Sequence, residues 1–554
     1  MAQTPPSQYI DDYGYPTRPD SRHKLRNFLV RTSKRILLAG IYVCASSLGA
    51  LLKLGRLGKK RVPLSPETFH PKRILVLRMD LIGDLVLSLP VVRSLKRTYP
   101  DAEIDLLAIP SSSKVVMSDP DLAEVIAYDP NIWRRPKALF KMQNWREAWA
   151  LRRRLRARHY DLAVSVFGPW AAILAVLSGA QRRVGFGQES YPGFMTDSVA
   201  GAHWNSGDHL HEVDYCLKLS QAAGVTITPE DRTPRLHVNP QAHQEIDEIL
   251  LREGIQPDRP IIACHVSSNN GQSKRWPIPY WAKLIDWLIC EDSMAVVLTG
   301  ATNDLPLIET ILRRTHEQPV NMAGKTSLTQ LAALLQRANL VITGDSGPMH
   351  IAAAAGTPLI AIHGPTDPVM SGPVSPHATV LRSDIWCSPC YTAKGTPADC
   401  RFFTTQCMKN ITPEQVLTVI HQFQSRKQDE FLDIGDSLTV VPAEQANGLL
   451  PYLQAQSDAS ADTIEHNYAK NGNFPGLSLL AHYLRQFAGF WWWIWQPQAA
   501  KSTTKNLVQN HESCSGKGVQ GRSPGGVWGV PNAFPSFPKR SRVIALGEPP
   551  EVAR

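Results

Sequence analysis

The stretch Leu340-Val341-Ile342-Thr343-Gly344-Asp345-Ser346-Gly347-Pro348-Met349-His350 decides how the chain is read. Four apolar or β-branched residues run into a glycine-bearing turn, and an alanine-rich segment to Ala355 follows. That order is strand, turn, helix. Glycine lets a backbone approach a ligand closely, and proline suits the start of a helix. The N–H groups and dipole at a helix start favour an anion, phosphate above all. Ser346 adds a hydroxyl, and His350 lies in the first helical turn. An ordinary N-capped helix with a buried histidine has the same local pattern. Gly356-Thr357-Pro358 then ends the helix, and the next strand, 359–363, runs into His363-Gly364-Pro365-Thr366-Asp367-Pro368. Two glycine-bearing turns at neighbouring strand ends favour a pocket over the plain cap.

Around this stretch the chain alternates strand-like and helix-like segments. In the half that holds it, strands are predicted at 261–266, 295–299, 340–343 and 359–363. Ser327 and Gln330 have capping-box spacing for a helix ending near Ala338. The preceding half predicts strands at 73–79, 103–109 and 161–167. One helix is predicted over 85–99, and a strongly basic one over 145–160. Such alternation predicts an α/β protein with two parallel sheets, each covered by helices on both faces. Two Rossmann-like domains, 72–236 and 237–424, then face a central cleft. Ligands of such sheets bind at the carboxyl ends of the strands.

Residues 1–71 form an N-terminal extension. It opens with a polar, proline-containing tail, followed by an apolar run over 36–52. Arg31, Lys34 and Arg35 precede this run, and Lys53, Arg56, Lys59, Lys60 and Arg61 follow it. At roughly 17 residues, diluted by Gly40, Ser46, Ser47 and Gly49, it is at the lower limit for a span. It starts too far from Met1 for a cleaved signal peptide. The reading favoured is a helix packed on the domain, then one lying on an anionic membrane face, and last a span. From about residue 425 the alternation is lost. A tryptophan-rich cluster over 487–495 and a Gly/Ser/Pro-rich tail predict a largely disordered segment, 425–554.

The overall apolar and charged fractions, 43% and 19%, are those of a soluble globular protein. The net charge of +10 suits an anionic partner. No basic stripe with interleaved stacking aromatics indicates nucleic acid, which ranks last among partners. The nine cysteines do not form a secreted disulfide framework, so a reducing cytosolic setting is expected. Cys387, Cys390, Cys400 and Cys407 lie close together. Zinc is the lesser reading there, because the second spacing is loose and no histidine completes the pattern; local thiols or a disulfide are preferred.

Two further turns fall at predicted strand ends. Asp80-Leu81-Ile82-Gly83-Asp84 follows the first strand, and an acid there is either a general base or a helix cap. Ser267-Ser268-Asn269-Asn270-Gly271-Gln272-Ser273-Lys274-Arg275-Trp276-Pro277 follows the first strand of the second half. Lys274 is either a point charge for a diphosphate or a solvated surface lysine.

In this order the motifs resemble glycosyltransferase family 9, the lipopolysaccharide heptosyltransferases of GT-B fold. The resemblance covers about 72–424. It rests on Arg73-Ile74-Leu75-Val76-Leu77-Arg78, Ile82-Gly83-Asp84-Leu85, Leu89-Pro90, Lys274-Arg275-Trp276-Pro277, the Gly344 to His350 turn and the Gly364 turn. Cys387-Ser388-Pro389-Cys390, with Cys400 and Cys407 before Ile411-Thr412-Pro413, matches a run found in many members.

The resemblance implies an inverting transferase that needs no metal or cofactor. It would use a nucleotide-diphosphate sugar, ADP-linked by analogy, and a lipopolysaccharide or other cell-envelope glycan as acceptor. It implies a bacterial, cytoplasmic protein, peripheral on the inner membrane if the apolar run lies there. Asp84 would be the general base. Lys274 would meet the donor phosphates, with Asp345, Ser346, Gly347, Pro348 and His350 forming the donor turn. The nucleoside-binding acid of the family has no clean counterpart; Asp304 is its candidate. A nucleotide-sugar epimerase of the same architecture and a non-catalytic membrane-associated sugar-nucleotide-binding protein are the rival readings.

Overall fold

The structure is a computed structural model of the 554-residue chain. It describes residues 11–15, 40, 43–54, 64–201, 210–268, 271–290, 294–390, 400, 402–429 and 542–544. Helix α1 covers 43–54. The first sheet domain follows in the order β1 (Arg73–Arg78), α2 (Ile82–Leu87), α3 (Leu89–Thr98), β2 (Glu103–Ala108), α4 (Pro110–Ser113), β3 (Glu124–Ala127), α5 (Met142–Ala157), β4 (Leu162–Phe167), α6 (Gly168–Ser178), β5 (Arg182–Phe186), β6 (Asp197–Val199) and α7 (Glu212–Ala222). The second begins with α8 (Pro240–Arg252), β7 (Ile261–His265), α9 (Ile278–Cys290), β8 (Ala295–Thr299), α10 (Leu305–Leu312), β9 (Val320–Asn321) and α11 (Leu328–Arg337). It continues through β10 (Leu340–Gly344), α12 (Gly347–Ala354), β11 (Leu359–His363), α13 (Pro368–Ser371), β12 (Ala378–Arg382), α14 (Gln406–Lys409), α15 (Pro413–Asp429) and β13 (Arg542–Ile544).

The first sheet has the order β3-β2-β1-β4-β5-β6, and the second β13-β12-β11-β10-β7-β8-β9. All neighbours pair in parallel except β12 with β13. Leaving aside the edge strand β13, both have the doubly wound order. It reverses between β1 and β4 in the first sheet and between β7 and β10 in the second. A crevice opens at the carboxyl ends of strands where the order reverses. In the central strands Val76 lies opposite Leu106 and Val164, and Ile342 opposite Cys264 and Ile360. These strands are apolar along their length because both faces are covered. One apolar cluster runs from Ile74, Val76 and Leu85 through Met349 and Ala352 to Ala263 and Val341, so the two domains share packing where α2 meets α12.

The central strands form close to their predicted limits, and the Ser327–Gln330 box caps α11. The Ser327 N–H donates to Gln330 Oε1 at 2.8 Å and the Gln330 N–H to Ser327 Oγ at 3.2 Å. Several expectations are corrected. The single helix over 85–99 is two, α2 and α3, divided at Ser88. Pro90 in the first turn of α3 has no N–H to continue the ladder. The basic helix starts earlier, at Met142 rather than 145. Strands β3, β5, β6, β9 and β12 were not predicted. In β5 the paired arginines hide the pattern; Arg183 is nonetheless buried, its guanidinium donating to the Phe194 and Ala180 carbonyls.

The extensions also differ from expectation. Residues 11–15 of the polar tail dock on the second domain. Tyr15 is buried with its hydroxyl donating to the Arg275 carbonyl, and Lys409 bonds Asp11 at 2.7 Å. Within the predicted disordered segment 425–554, α15 runs on to Asp429 and β13 adds an edge strand. The rest of that segment, including the tryptophan cluster, lies outside the described residues, as do 36–39, 41 and 42 of the apolar run. Residues 43–54 form a helix packed on the first domain through Ala45 and Gly49. Among the described residues no helix is long and apolar enough to cross a membrane.

Candidate active site

Except for Asp304, which follows β8, the candidate residues lie at the two places where the strand orders reverse. Strand β1 delivers Arg78 and then the 80–84 turn; β7 delivers Ser267 to Lys274; β10 delivers Asp345 to His350.

Arg78 ends β1 after four apolar residues and is 1% exposed. Its guanidinium donates to Glu212 at 2.9 Å and lies 3.6 Å from Asp84 and 3.7 Å from Asp80. Burial disfavours its charge, but Glu212, Cys216, Asp84 and Asp80 outweigh that and raise its pKa further. A buried arginine is tolerated only with such partners. Asp84 sits in the first turn of α2. The capping position belongs to Leu81, whose side chain makes no capping bond, so Asp84 does not fill the cap. Its carboxylate is 35% exposed, open enough to take a proton from an entering molecule.

Across the interface, α2 rests on the start of α12. A methyl group added to Gly83 would lie 2.7 Å from His350 Cδ2, and one on Gly347 would lie 3.3 Å from Ile82 Cβ. Only glycines permit this approach, which brings the Asp84 turn and the Asp345–His350 turn to one place.

Lys274 is not a solvated lysine. It is buried and donates to Asp345 Oδ2 at 2.6 Å. The Lys274 carbonyl approaches Gly344 so closely that a Cβ there would sit 3.1 Å away. Burial alone would raise the Asp345 pKa, but Lys274 holds it at about 2. The Ser346 hydroxyl shares a 3.0 Å hydrogen bond with Thr343 and does not cap α12. Gly347 and Pro348 open α12, and Pro348 contributes no N–H. Asp304, buried at the end of β8, accepts from the Ala301 N–H at 2.8 Å and from the Ser267 hydroxyl, bracing that turn against β7.

His350 and His363 are both buried, and burial lowers each pKa to about 4. Among the described residues, His350 Nδ1 and His363 Nε2 have no hydrogen-bond partner. Buried polar atoms without partners are uncommon in folded proteins. His265, bonded to Thr299 at 3.0 Å, is lowered to about 4 by the same cause. These three imidazoles are therefore neutral in the folded protein near pH 7. The unfolded chain, with an ordinary imidazole pKa of about 6.5, binds more protons between pH 6.5 and 4. Stability is thus expected to fall as pH drops through that window, by roughly 3 kcal/mol per imidazole at its end. Urea midpoints at pH 7, 5.5 and 4.5 measure this, and His363→Gln should flatten the slope; equal midpoints would show that the rings are not buried neutral.

Reading the sequence missed Arg78, Glu212 and His363 as site residues. A charge closing an apolar strand was the available signal for Arg78. Glu212 carried none, because it lies 134 residues from its partner. Among the described residues, no group of three or more His, Cys, Asp or Glu is arranged to hold a metal. Among the described residues no disulfide joins Cys387, Cys390, Cys400 or Cys407, so of the two preferred readings, local thiols or a disulfide, the structure has the thiols.

The sequence model of Glycosyltransferase family 9 (heptosyltransferase) matches residues 148–398. Lipooligosaccharide heptosyltransferase 2 of Haemophilus influenzae is 30% identical over 318 residues, which is 56% of this chain and 88% of that one. Lipopolysaccharide heptosyltransferase 2 of Salmonella typhimurium is 26% identical over 64% of this chain and 99% of its own length. Among solved structures, the Escherichia coli ADP-heptose lps heptosyltransferase II aligns with a TM-score of 0.51 at 25% identity, over 64% of this chain and 99% of that one. The family 9 glycosyltransferase from Veillonella parvula has the same fold, with a TM-score of 0.53 at 22% identity over 64% and 97% of the two chains. With its paired doubly wound sheets and the two turns that meet between them, the chain belongs to glycosyltransferase family 9 and is a glycosyltransferase of GT-B fold.

Proposed function

We propose that the protein transfers a heptose from an ADP-linked donor to a lipopolysaccharide-type acceptor, with inversion at the sugar carbon. The observation that carries this reading is the contact between α2 and α12, which brings the turn of a partly exposed carboxylate, Asp84, to the start of a helix whose preceding Asp345 holds a buried lysine. The names of the relatives from Haemophilus influenzae and Salmonella typhimurium, and of the Escherichia coli structure, support heptose and ADP.

In this reading Asp84 takes the acceptor hydroxyl proton as that oxygen attacks the sugar carbon from the face opposite the diphosphate. The leaving diphosphate gains negative charge, and the start of α12 with Lys274 offsets it without a metal or cofactor. Asp345 orients the lysine, while Ser346, Gly347, Pro348 and His350 shape the donor turn. Asp304 acts through its turn to place the nucleoside. The lack of disulfides among the described cysteines suits a reducing cytoplasm, with the acceptor met at the inner face of the membrane.

Incubation of the protein with ADP-heptose and a heptose-deficient lipopolysaccharide tests the reading. Acceptor extended by one heptose and release of ADP are expected, along with a rise in Tm on adding ADP-heptose. Stabilisation by UDP- or GDP-sugars alone would overturn the donor. Interconversion of free nucleotide sugars with no acceptor would make the protein an epimerase instead, and donor binding without turnover of any acceptor would make it a binding protein.

A further inference from the structure

Helix α5 turns a stripe of tryptophan, methionine and arginine away from the protein. At 100° per residue, Asn144, Ala148, Leu151 and Leu155 form its inward stripe, and Leu151 and Leu155 are buried in the cluster over the first sheet. The opposite stripe carries Met142, Trp145 and Trp149, then Arg153 and Arg156 in the last turns. Met142 is 66% exposed, Trp145 51% and Trp149 59%, and Phe140 just before the helix is 89% exposed. The Trp145 indole N–H donates to the Leu139 carbonyl at 2.9 Å, so its polar atom is satisfied within the protein. The Arg152 guanidinium lies 4.8 Å over the Trp149 ring.

Charge in this region is one-sided. Residues 134–156 hold nine arginines and lysines and a single acid, Glu147. Among the described residues only Arg154 of the α5 arginines forms an ion pair, with Glu124. Helix α1 joins the same layer. Ala45 packs in one cluster with Leu151 and Leu155, and Gly49 is pressed against the Pro192 carbonyl. Its outward residues Val43, Leu48, Leu51 and Leu54 are exposed. An apolar surface of this kind on a water-facing helix marks a contact site.

We infer that the outer face of α5, extended by α1, is a docking surface for an anionic phospholipid bilayer. Aromatic rings favour the level of the lipid headgroups, and arginines there keep their charge in water while laying their stems on the apolar phase. The excess of cations complements anionic headgroups, whereas a protein partner of matching apolar stripe would need acids to face them. The surface deepens the proposed function, since it rests on that reading to say why a membrane matters: it would hold the cleft near a lipid-anchored acceptor. Lipid binding itself is measured without transfer, so the two stand or fall separately.

Cosedimentation of the full chain with vesicles tests this, using phosphatidylglycerol mixed with phosphatidylethanolamine, and phosphatidylcholine alone. The protein is expected to pellet with the anionic vesicles and to remain in solution with phosphatidylcholine. Phe140→Ser/Trp145→Ser/Trp149→Ser should lower the bound fraction at least tenfold, and Arg153→Glu/Arg156→Glu should do the same by charge alone. Both keep the buried stripe intact and should retain the Tm and the Tm shift with ADP-heptose. If the wild-type protein stays in solution with anionic vesicles, or if both folded variants bind like wild type, the surface is not a membrane site. Binding to phosphatidylcholine equal to that on anionic vesicles would remove the part assigned to the arginines.

Discussion

Asp84→Asn is expected to slow sugar transfer by about 10²–10⁴-fold, the usual contribution of a positioned general base, while leaving donor binding in place. Asparagine keeps the shape of the side chain and loses only its ability to accept the proton. The fold should tolerate the change, because Arg78 keeps its 2.9 Å bond to buried Glu212 and the neighbouring Asp80. Asp84 is also more exposed than Asp80, 35% against 26%, which favours it as the group an acceptor meets. Single-turnover transfer, paired with the Tm shift on adding donor, separates the two effects. A rate within threefold of wild type would place the base elsewhere, with Asp80→Asn the next variant to make.

Lys274→Met should cost about 3–5 kcal/mol of stability, the range for leaving one partner of a buried ion pair uncompensated. Asp345 would remain 8% exposed with its Lys274 partner gone. The double variant Lys274→Met/Asp345→Leu should recover most of that loss, since an apolar pair of similar volume suits the site. Neither variant should bind the nucleotide sugar tightly, because the cation proposed to face the diphosphate is missing from both. Urea unfolding measures the first effect and the donor-induced Tm shift the second. If the single variant loses less than about 1 kcal/mol, the pair is solvated and the buried bridge is not the feature that holds Lys274.

The same comparison shows where reading the sequence stops. The Asp80–Asp84 turn read alone favoured a cap over a base, because an acid before a helix fits both and the cap is the commoner use. The structure puts Leu81 at the capping position and Asp84 in the first turn of α2. Lys274 read alone favoured a solvated surface lysine over a ligand, since its partner Asp345 is 71 residues away. Helix α5 was recognised as basic, yet which arginines face water depends on the face that Leu151 and Leu155 bury. The N-terminal tail read as polar and proline-containing, and Tyr15 shows that a short aromatic segment can dock far from its place in the chain.

What the sequence by itself determined was local: the alternation of apolar strands with helices, the glycines and prolines that break them, and the turns where acids and a lysine stand at strand ends. These follow from propensity, periodicity and backbone freedom within a few residues, so a window of sequence contains them. Tertiary structure alone decided which turns meet. The order of strands puts β1 beside β4 and β10 beside β7, and the missing side chains of Gly83 and Gly347 let α2 lie against α12. The partners of Arg78 and Lys274, and the neutral state of His350 and His363, follow from that meeting. A charge or a proton equilibrium is set by whatever surrounds it in space, and chain distance carries no record of that.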